Sequence, residues 1–334
     1  TDVNIFVKME PKEKQNKIQY GDVLFTGSSE TPNECGMSSV LTKKIDEPLY
    51  LNSFCFGFCF HNTNLLLPEF SKYLFRDEQM RKQIAKTASG VTRFNVSKKR
   101  FAKMTIPLPP LTIQAEIVKI LNSFTELEAE LEAELEARKK QYEYYREELL
   151  KFGDAVEFWS IEALLADKTV TTLIPPRKLT KKYYKTVGKF PIIDQGQDFI
   201  VGYTDDNNAT VAADLYVIFG DHTEAIKYVD FAFAQGADGI KILKTNASII
   251  NIKFFYYALN NFYNKSGKYT RHFSFLKKTL IPVPPLAEQE RIVSILDKFD
   301  ALVSDISIGL PAELSARRSQ YEYYRGKLLT FKTL

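Results

Sequence analysis

Two stretches of this chain repeat each other, and that repetition limits the fold more than any other feature. Residues 106–124 read IPLPPLTIQAEIVKILNSF and residues 281–299 read IPVPPLAEQERIVSILDKF, an offset of 175. Gln141-Tyr142-Glu143-Tyr144-Tyr145-Arg146 returns as Gln320-Tyr321-Glu322-Tyr323-Tyr324-Arg325, an offset of 179. Two long copies are too few for a solenoid, whose units stack in numbers. They imply a pseudo-twofold molecule in the order variable domain, shared helix, variable domain, shared helix. The boundaries are 1–105, 106–152, 153–280 and 281–334. The first variable segment is the shorter one and the chain has no initiator Met, so the 1–105 domain is read as N-terminally incomplete.

Each copy opens on a Pro-rich lead-in that cannot be helical, because proline removes a donor and biases its predecessor to extended geometry. A helix then begins near Thr112 or Ile113. Its apolar residues Ile113, Ile117, Ile120, Leu121, Phe124, Leu127, Leu131 and Leu135 recur at three- and four-residue steps; the second copy supplies Ile292, Ile295, Leu296, Phe299 and Leu302. A helix over 113–150 would run roughly 55 Å at about 1.5 Å per residue. Alone it cannot hide its stripe, so the two copies are expected to pack as an antiparallel coiled coil. Glu-Leu-Glu-Ala occurs three times over 126–137, a stiff helix-forming stretch that reads either as a solvated acidic helix or as a ruler. In the second copy Gly309 and Pro311 predict a break, kink or new cap. The fold class is therefore α+β: two globular domains of mixed strands and short helices, separated by two long helices.

Charge is unevenly placed. Lys and Arg exceed Asp and Glu by 45 to 41 overall, by 16 to 11 over 1–105 and by 16 to 13 over 153–280, whereas 106–152 carries 6 against 10. Nucleic-acid affinity needs cations against phosphates, so the two variable segments are the better contact candidates. No stretch approaches the roughly 18 apolar residues of a membrane span. Thr1 to Met9 has no signal-peptide pattern. Cys35, Cys55 and Cys59 make no disulfide framework; Cys55 and Cys59 with His61 read either as a metal site or as buried thiols, and the second is expected because no further ligand pair follows. There is no P-loop, methyltransferase or zinc-protease motif, and nothing supports a triad built on His61, His222 or His272.

These features resemble the DNA specificity subunit of type I restriction–modification systems. Leu286-Ala287-Glu288-Gln289-Glu290-Arg291-Ile292 is similar to the family's P-L-x-E-Q-x-x-I pattern; the first copy departs from it with Ile113-Gln114. Ser89-Gly90-Val91-Thr92-Arg93-Phe94 and Ser266-Gly267-Lys268-Tyr269-Thr270-Arg271 precede the two lead-ins at matching places. The resemblance implies that each variable segment is a target recognition domain reading half of a bipartite, asymmetric double-stranded DNA site. The coiled coil would fix the spacing and dock two methyltransferase subunits. S-adenosylmethionine would belong to those subunits, and ATP and Mg to restriction subunits. This chain would bind no cofactor or metal, catalyse nothing and work in a bacterial or archaeal cytoplasm at the nucleoid. The rival readings are a partner of a type II-like fused methyltransferase–nuclease and a coiled-coil scaffold with two protein-binding heads.

Base edges are read by polar side chains on loops, while phosphate contacts only position the protein. In the first domain the small polar Ser28 and Ser29, then Arg93, Lys98 and Lys99, are the candidates. In the second they are Gln195 and Gln197, suited to adenine, with His222, Thr223, Lys227, Gln235, Lys241, Lys268, Arg271 and His272. Asp221 and Asp238 would instead cap turns, and Trp159 would pack in a core. Tyr142, Tyr145, Arg146, Tyr321, Tyr324 and Arg325 read either as inter-helix packing or as two equivalent docking surfaces, since Tyr and Arg are enriched at interface hot spots.

Overall fold

Each Pro-rich lead-in ends where a long helix begins. The computed structural model describes residues 15–60, 65–236, 239–304 and 309–331. Its helices are α1 (Pro68–Leu74), α2 (Glu78–Thr87), α3 (Lys98–Phe101), α4 (Leu111–Leu149), α5 (Ile161–Ala166), α6 (Ile252–Phe262), α7 (Phe273–Lys278), α8 (Leu286–Ser304) and α9 (Leu310–Leu328). The α4 start is closed by the Pro110 carbonyl, which accepts from the N–H groups of Ile113 and Gln114. α8 and α9 are separate helices, with Pro311 in the first turn of α9, as Gly309 and Pro311 predict. Among the described residues no helix is long and apolar enough to cross a membrane.

The chain divides into two compact units. Unit 1 takes the described residues up to Ala133 together with those from Ala312 onward; unit 2 takes those between Glu134 and Pro311. In unit 1, strand Val23–Thr26 is flanked antiparallel by Ser38–Val40 and Cys55–Phe58. A second small sheet centres on Phe94–Val96, between Ser28–Ser29 and Ala88–Ser89. Val23, Phe25, Phe70, Leu74, Ile84, Ile117, Leu121 and Leu329 share one core. It therefore joins the first variable segment to the start of α4 and to the residue just past the end of α9. Phe124 on α4 lies against Tyr321 and Tyr324 on α9, while Arg318 bonds Glu128 and Glu132. Rising numbers on α4 meet falling numbers on α9, so the pair is antiparallel.

Unit 2 holds two four-stranded sheets. One is wholly antiparallel, in the order Val170–Leu173, Ile240–Thr245, Tyr216–Gly220, Ile226–Val229. The other runs Gly202–Thr204, Phe190–Ile193, Phe233–Gln235, Thr210–Val211 and contains one parallel pairing. Burial of Val217, Phe219 and Leu243 against Phe254, Phe255 and Leu259 of α6 carries the core on to Ile292 and Leu296 of α8 and to Leu150. Here the end of α4 pairs with α8: Tyr142 and Tyr145 meet Phe299. Strand Leu280–Pro282, within the second lead-in, pairs with Phe158–Ser160. That pairing buries Ile281 but leaves Trp159 38% exposed, so the expected core position of Trp159 is corrected: it sits on a two-stranded ribbon with one face open.

The repeat is reproduced in buried detail. Gln114 and Gln289 are both fully buried. The Gln114 side-chain oxygen accepts from Leu67 N–H (2.8 Å), and its amide donates to the carbonyls of Leu65 (3.0 Å) and Pro109 (2.8 Å). Gln289 accepts from Asn251 N–H (2.8 Å) and donates to Ile249 (2.9 Å) and Pro284 (2.7 Å). Each glutamine thus ties its lead-in to the segment before α1 or α6. A buried side-chain amide with these groups satisfied is favourable, and without them it is costly. The departure of the first copy at Ile113 leaves this function intact, because Gln114 carries it.

Candidate nucleic-acid interface

In unit 1 the candidates gather around the small sheet of Phe94–Val96. Ser28 and Ser29 were expected on a loop but form a two-residue strand paired to Asn95 and Phe94. The turn geometry after Gly27 is replaced by ladder bonds, which pin the hydroxyls to the sheet. Arg93 Nε donates to Ser28 Oγ (3.3 Å), and its guanidinium stacks over Phe54 at 5.6 Å. Ser29 Oγ donates to Glu34 (3.2 Å). Gly90 is required by the turn leading to Arg93: a Cβ there would come within 1.9 Å of the Arg93 carbonyl oxygen. Ser97 caps α3 by accepting from Arg100 N–H, and Lys98, Lys99 and Arg100 are exposed there beside the exposed Arg93. The result is one basic surface with aromatic support, suited to phosphate and base contact.

The cysteine reading is partly corrected. Cys35 is buried, but Cys55 is half-buried and Cys59 is exposed, because the Cys55–Phe58 strand lies at the margin of its sheet. A hydrogen bond to Asp22, with burial second, pushes the Cys59 thiol up to about 11. His61 lies outside the described residues. Among those described, no group of three or more His, Cys, Asp and Glu side chains is placed to hold a metal.

In unit 2 the structure brings together candidates that lie far apart in sequence. Gln195 Oε1 accepts from His222 N–H (3.2 Å), the Gln195 carbonyl accepts from Thr223 Oγ1, and Gln197 Nε2 donates to the Thr223 carbonyl (3.4 Å). The His222 ring stacks on Tyr269, with centroids 5.2 Å apart and planes at 21°. Tyr269 is 80% exposed and flanked by exposed Lys268 and Arg271. Gly220 is demanded by this crowding, since a Cβ would press on Thr223 Oγ1 and the Gln195 carbonyl.

Beneath that patch lies a buried polar frame that sequence reasoning missed. Glu224, 2% exposed with a left-handed backbone (φ 56°), accepts from Tyr263 Oη (2.8 Å), Ser266 N–H (2.9 Å) and Gly267 N–H (2.8 Å). Its Oε1 lies 3.1 Å from His272 Nδ1, while His272 Nε2 bonds the Lys268 carbonyl at 2.6 Å. Asp221 accepts from the N–H groups of His272 and Phe273 and so closes the start of α7 from far along the chain, a long-range contact where a local turn cap was expected. Burial raises the Glu224 carboxyl, but these donors and His272 together hold it below the usual carboxylate range. Asp238 lies outside the described residues.

Three candidates are therefore placed differently from expectation. Lys227 is buried, and its ammonium donates to the carbonyls of Asp194 (2.9 Å) and Asp198 (2.6 Å), clasping the turn that carries Gln195 and Gln197. Its pKa falls, because burial outweighs Asp194 and Asp198. Gln235 is buried at the end of an inner strand, and His272 is buried on Glu224. A side chain engaged inside a domain positions readers and does not meet a base edge. Lys241 is half-buried, its ammonium 5.1 Å from the Phe273 ring. Gln197, Lys268 and Arg271 remain exposed, with Tyr269 the addition no polar-loop search would find.

Both repeated aromatic blocks do pack between helices, through Tyr142 with Tyr145 in unit 2 and Tyr321 with Tyr324 in unit 1. The neighbouring Tyr144 and Tyr323 are about 60% exposed. Arg146 and Arg325 lie over the rings of Tyr142 and Tyr321.

Known proteins carry the same pattern. The family model for the type I restriction modification DNA specificity domain matches residues 4–137 and 169–316. A Haemophilus influenzae protein named as a type I restriction enzyme specificity subunit is 33% identical over 267 residues, covering 73% of this chain and 68% of its own. The Escherichia coli EcoR124I/EcoR124II specificity subunit is 32% identical over 282 residues, covering 69% of this chain and 63% of its own. In fold, the chain is similar to the Mycoplasma genitalium type I S subunit (18% identity, TM-score 0.57, 96% of this chain and 85% of that one). It is also similar to a chain from a type I restriction–modification assembly (15% identity, TM-score 0.63, 96% and 84%). With two family domains in one chain and the duplicated helix-and-glutamine framework around them, the protein belongs to the type I restriction–modification DNA specificity family.

Proposed function

We propose that this chain is the non-catalytic reader of a type I methyltransferase and restriction complex. Each recognition domain reads one half of a bipartite, asymmetric duplex site. The patch around Arg93, Lys98 and Lys99 serves the first half. The patch around Gln197, Tyr269, Lys268 and Arg271 serves the second, with Gln195, His222, Thr223, Lys227 and His272 holding it in shape. The observation that carries this reading is the repeat itself: one scaffold, built twice, presenting two different polar surfaces. The tetrapeptide stretch of α4 sets how many unread base pairs separate the half-sites, since one added tetrapeptide lengthens a helix by about 6 Å.

Two methyltransferase subunits dock on the exposed faces of the repeated Gln-Tyr-Glu-Tyr-Tyr-Arg blocks and bring S-adenosylmethionine. Restriction subunits bring ATP and Mg. The site of action is the cytoplasm, at the nucleoid. Mapping methylated adenines across the source genome with and without the gene tests the reading: one bipartite motif is expected to vanish. Replacing residues 153–280 with the equivalent segment of a relative is expected to change one half-site only. An unchanged map, with no co-purifying methyltransferase, sinks the proposal.

A further inference from the structure

The duplication allows the two units to be compared position by position, and at one place the chemistry diverges. In unit 2, Tyr257 on α6 donates to Asp297 on α8 (2.7 Å), and Lys253 pairs with the same carboxylate (2.6 Å). Asp300, one turn further along α8, acts electrostatically on Tyr142, Tyr256 and Tyr257, and Arg146 acts on Tyr142 and Tyr256. Two cations and two carboxylates share this cluster, so its formal charge is zero.

In unit 1, Tyr73 donates to Asn122 (2.6 Å) at the corresponding spot. The offsets of the lead-in, the α1/α6 pair and the aromatic block place Asn122 for Asp297, Thr125 for Asp300, Lys72 for Tyr256, Arg76 for Asn260 and Arg325 for Arg146. Both carboxylates are gone and Lys72 and Arg76 have been added, while Glu69 stands where Lys253 stands, so the cations rise from two to three. Outside the cavity wall, Glu126 acts on Tyr73 where unit 2 has Ala301. What remains is a cavity of about 500 Å³ lined by Ser38, Lys72, Arg76, Thr125, Tyr321 and Arg325, with no Asp or Glu in its wall. Arg76 is fixed there by two bonds to the Ser38 carbonyl (2.9 and 2.7 Å). Among the described residues none of the three cations makes an ion pair within 4.0 Å, although Arg325 helps hold the exposed Glu78 carboxyl below its ordinary value. Ser38 is 2% exposed, and its Oγ is a buried atom with no hydrogen-bond partner; the Nε of Arg325 is another, as is that of its equivalent Arg146 in unit 2, so Ser38 is the orphan that sets this cavity apart. Buried polar atoms are nearly always satisfied, so this cavity has donors waiting for an acceptor.

We propose that the unit 1 cavity binds a phosphate group, which supplies from outside the negative charge that Asp297 and Asp300 supply inside unit 2. Three cations exceed what a single carboxylate balances. Donors converging from strand, helix and hydroxyl suit a tetrahedral oxyanion with several acceptor oxygens. The phosphate comes either from a small free compound or from a DNA backbone.

Thermal unfolding of the full chain, in phosphate-free buffer, tests this with added inorganic phosphate against sodium chloride of equal ionic strength. The wild type is expected to rise by about 3 °C beyond the chloride control at tenfold saturation. Thr125→Asp, which restores the carboxylate of unit 2, and Lys72→Gln should both abolish that rise. Lys72 is at an exposed position, so this variant keeps the test decisive where Thr125→Asp fails to fold. A random-sequence duplex in place of phosphate separates the sources. A rise with duplex alone, lost in the variants, assigns the site to a DNA backbone; a rise with phosphate, lost likewise, assigns it to a free phosphate compound. No rise with either, or an equal rise in the variants, overturns the site.

Discussion

Phe124 on α4 stacks on Tyr324 on α9, ring centroids 5.7 Å apart and planes at 22°. Phe299 on α8 stacks on Tyr145 on α4 in the same way, at 5.3 Å and 26°. The two phenylalanines are repeat equivalents, and so are the two tyrosines. Each copy therefore supplies the phenylalanine of one helix pair and the tyrosine of the other, and neither copy completes a pair by itself. Aromatic pairs contribute about 0.5–1.5 kcal/mol beyond their buried area. A double-mutant cycle with Phe124→Ala and Tyr324→Ala, read by urea unfolding, is expected to give a coupling near 1 kcal/mol. Strict additivity would mean the stack is contact without energy.

Gln114 and Gln289 should be among the most sensitive positions in the chain. Truncation to Ala leaves one N–H and two carbonyls without partners at a buried site. The expected loss is about 2–4 kcal/mol per glutamine. Hydrogen exchange should localise the damage: Gln289→Ala loosens the segment around Ile249–Asn251, and Gln114→Ala the segment around Leu65–Leu67. Replacement by Glu, which keeps the shape but loses the donor, should restore little.

Acid should open the second recognition patch before it unfolds the rest of unit 2. The folded Glu224 carboxyl titrates below its unfolded value of about 4.3. Its contribution is therefore complete above that value and is lost as pH falls through the lower folded one. Protection of the Ser266–Phe273 amides should decline as pH drops from 5 towards 3. In Glu224→Gln that segment should be less protected at pH 7 and less responsive to acid. An identical pH response in the variant would remove Glu224 from this role.

Arg93 and Arg271 occupy matching places after the two glycine turns, and both are exposed. In the assembled complex, changing either to Ala should weaken DNA binding, and the kind of weakening reports its job. A phosphate contact lowers the slope of log K against log salt by about 1 for all sequences. A base contact costs about 1–3 kcal/mol on the recognised site and relaxes the methylated motif at one position. Unchanged binding and an unchanged motif would exclude both arginines from the interface.

Much of the framework is written locally. The duplication, the helix starts after Pro110 and Pro285, the break before α9 and the apolar stripe of α4 follow from short-range rules of proline, periodicity and helix propensity. The structure keeps the first three, and of the stripe it buries Ile117 and Leu121 but leaves Ile113 and Ile120 exposed. Pairing of the two copies also follows, because two equivalent stripes in one chain have each other to cover them; their antiparallel direction follows from the pseudo-twofold symmetry of the repeat, not from the stripes.

The sites needed tertiary contacts. Lys227, Gln235 and His272 look like surface readers in sequence, since nothing in a side chain's identity says whether its polar atoms face water or a carbonyl thirty residues away. Ser28 and Ser29 became a strand because Phe94 and Asn95 offered a ladder from far along the chain. Glu224 and Tyr269 gave no signal until Gly220, Ser266 and Lys268 met around them. Even the repeat hid its most informative difference. Asn122 and Thr125 stand opposite Asp297 and Asp300 by the repeat offset itself, but the loss gains meaning only once Lys72, Tyr73 and Arg76 of α1 are set against Tyr256, Tyr257 and Asn260 of α6, a correspondence that runs through buried contacts the helical blocks alone do not define. Local rules set where the chain turns and coils; which polar groups are spent on the fold and which remain for a ligand is decided by long-range burial.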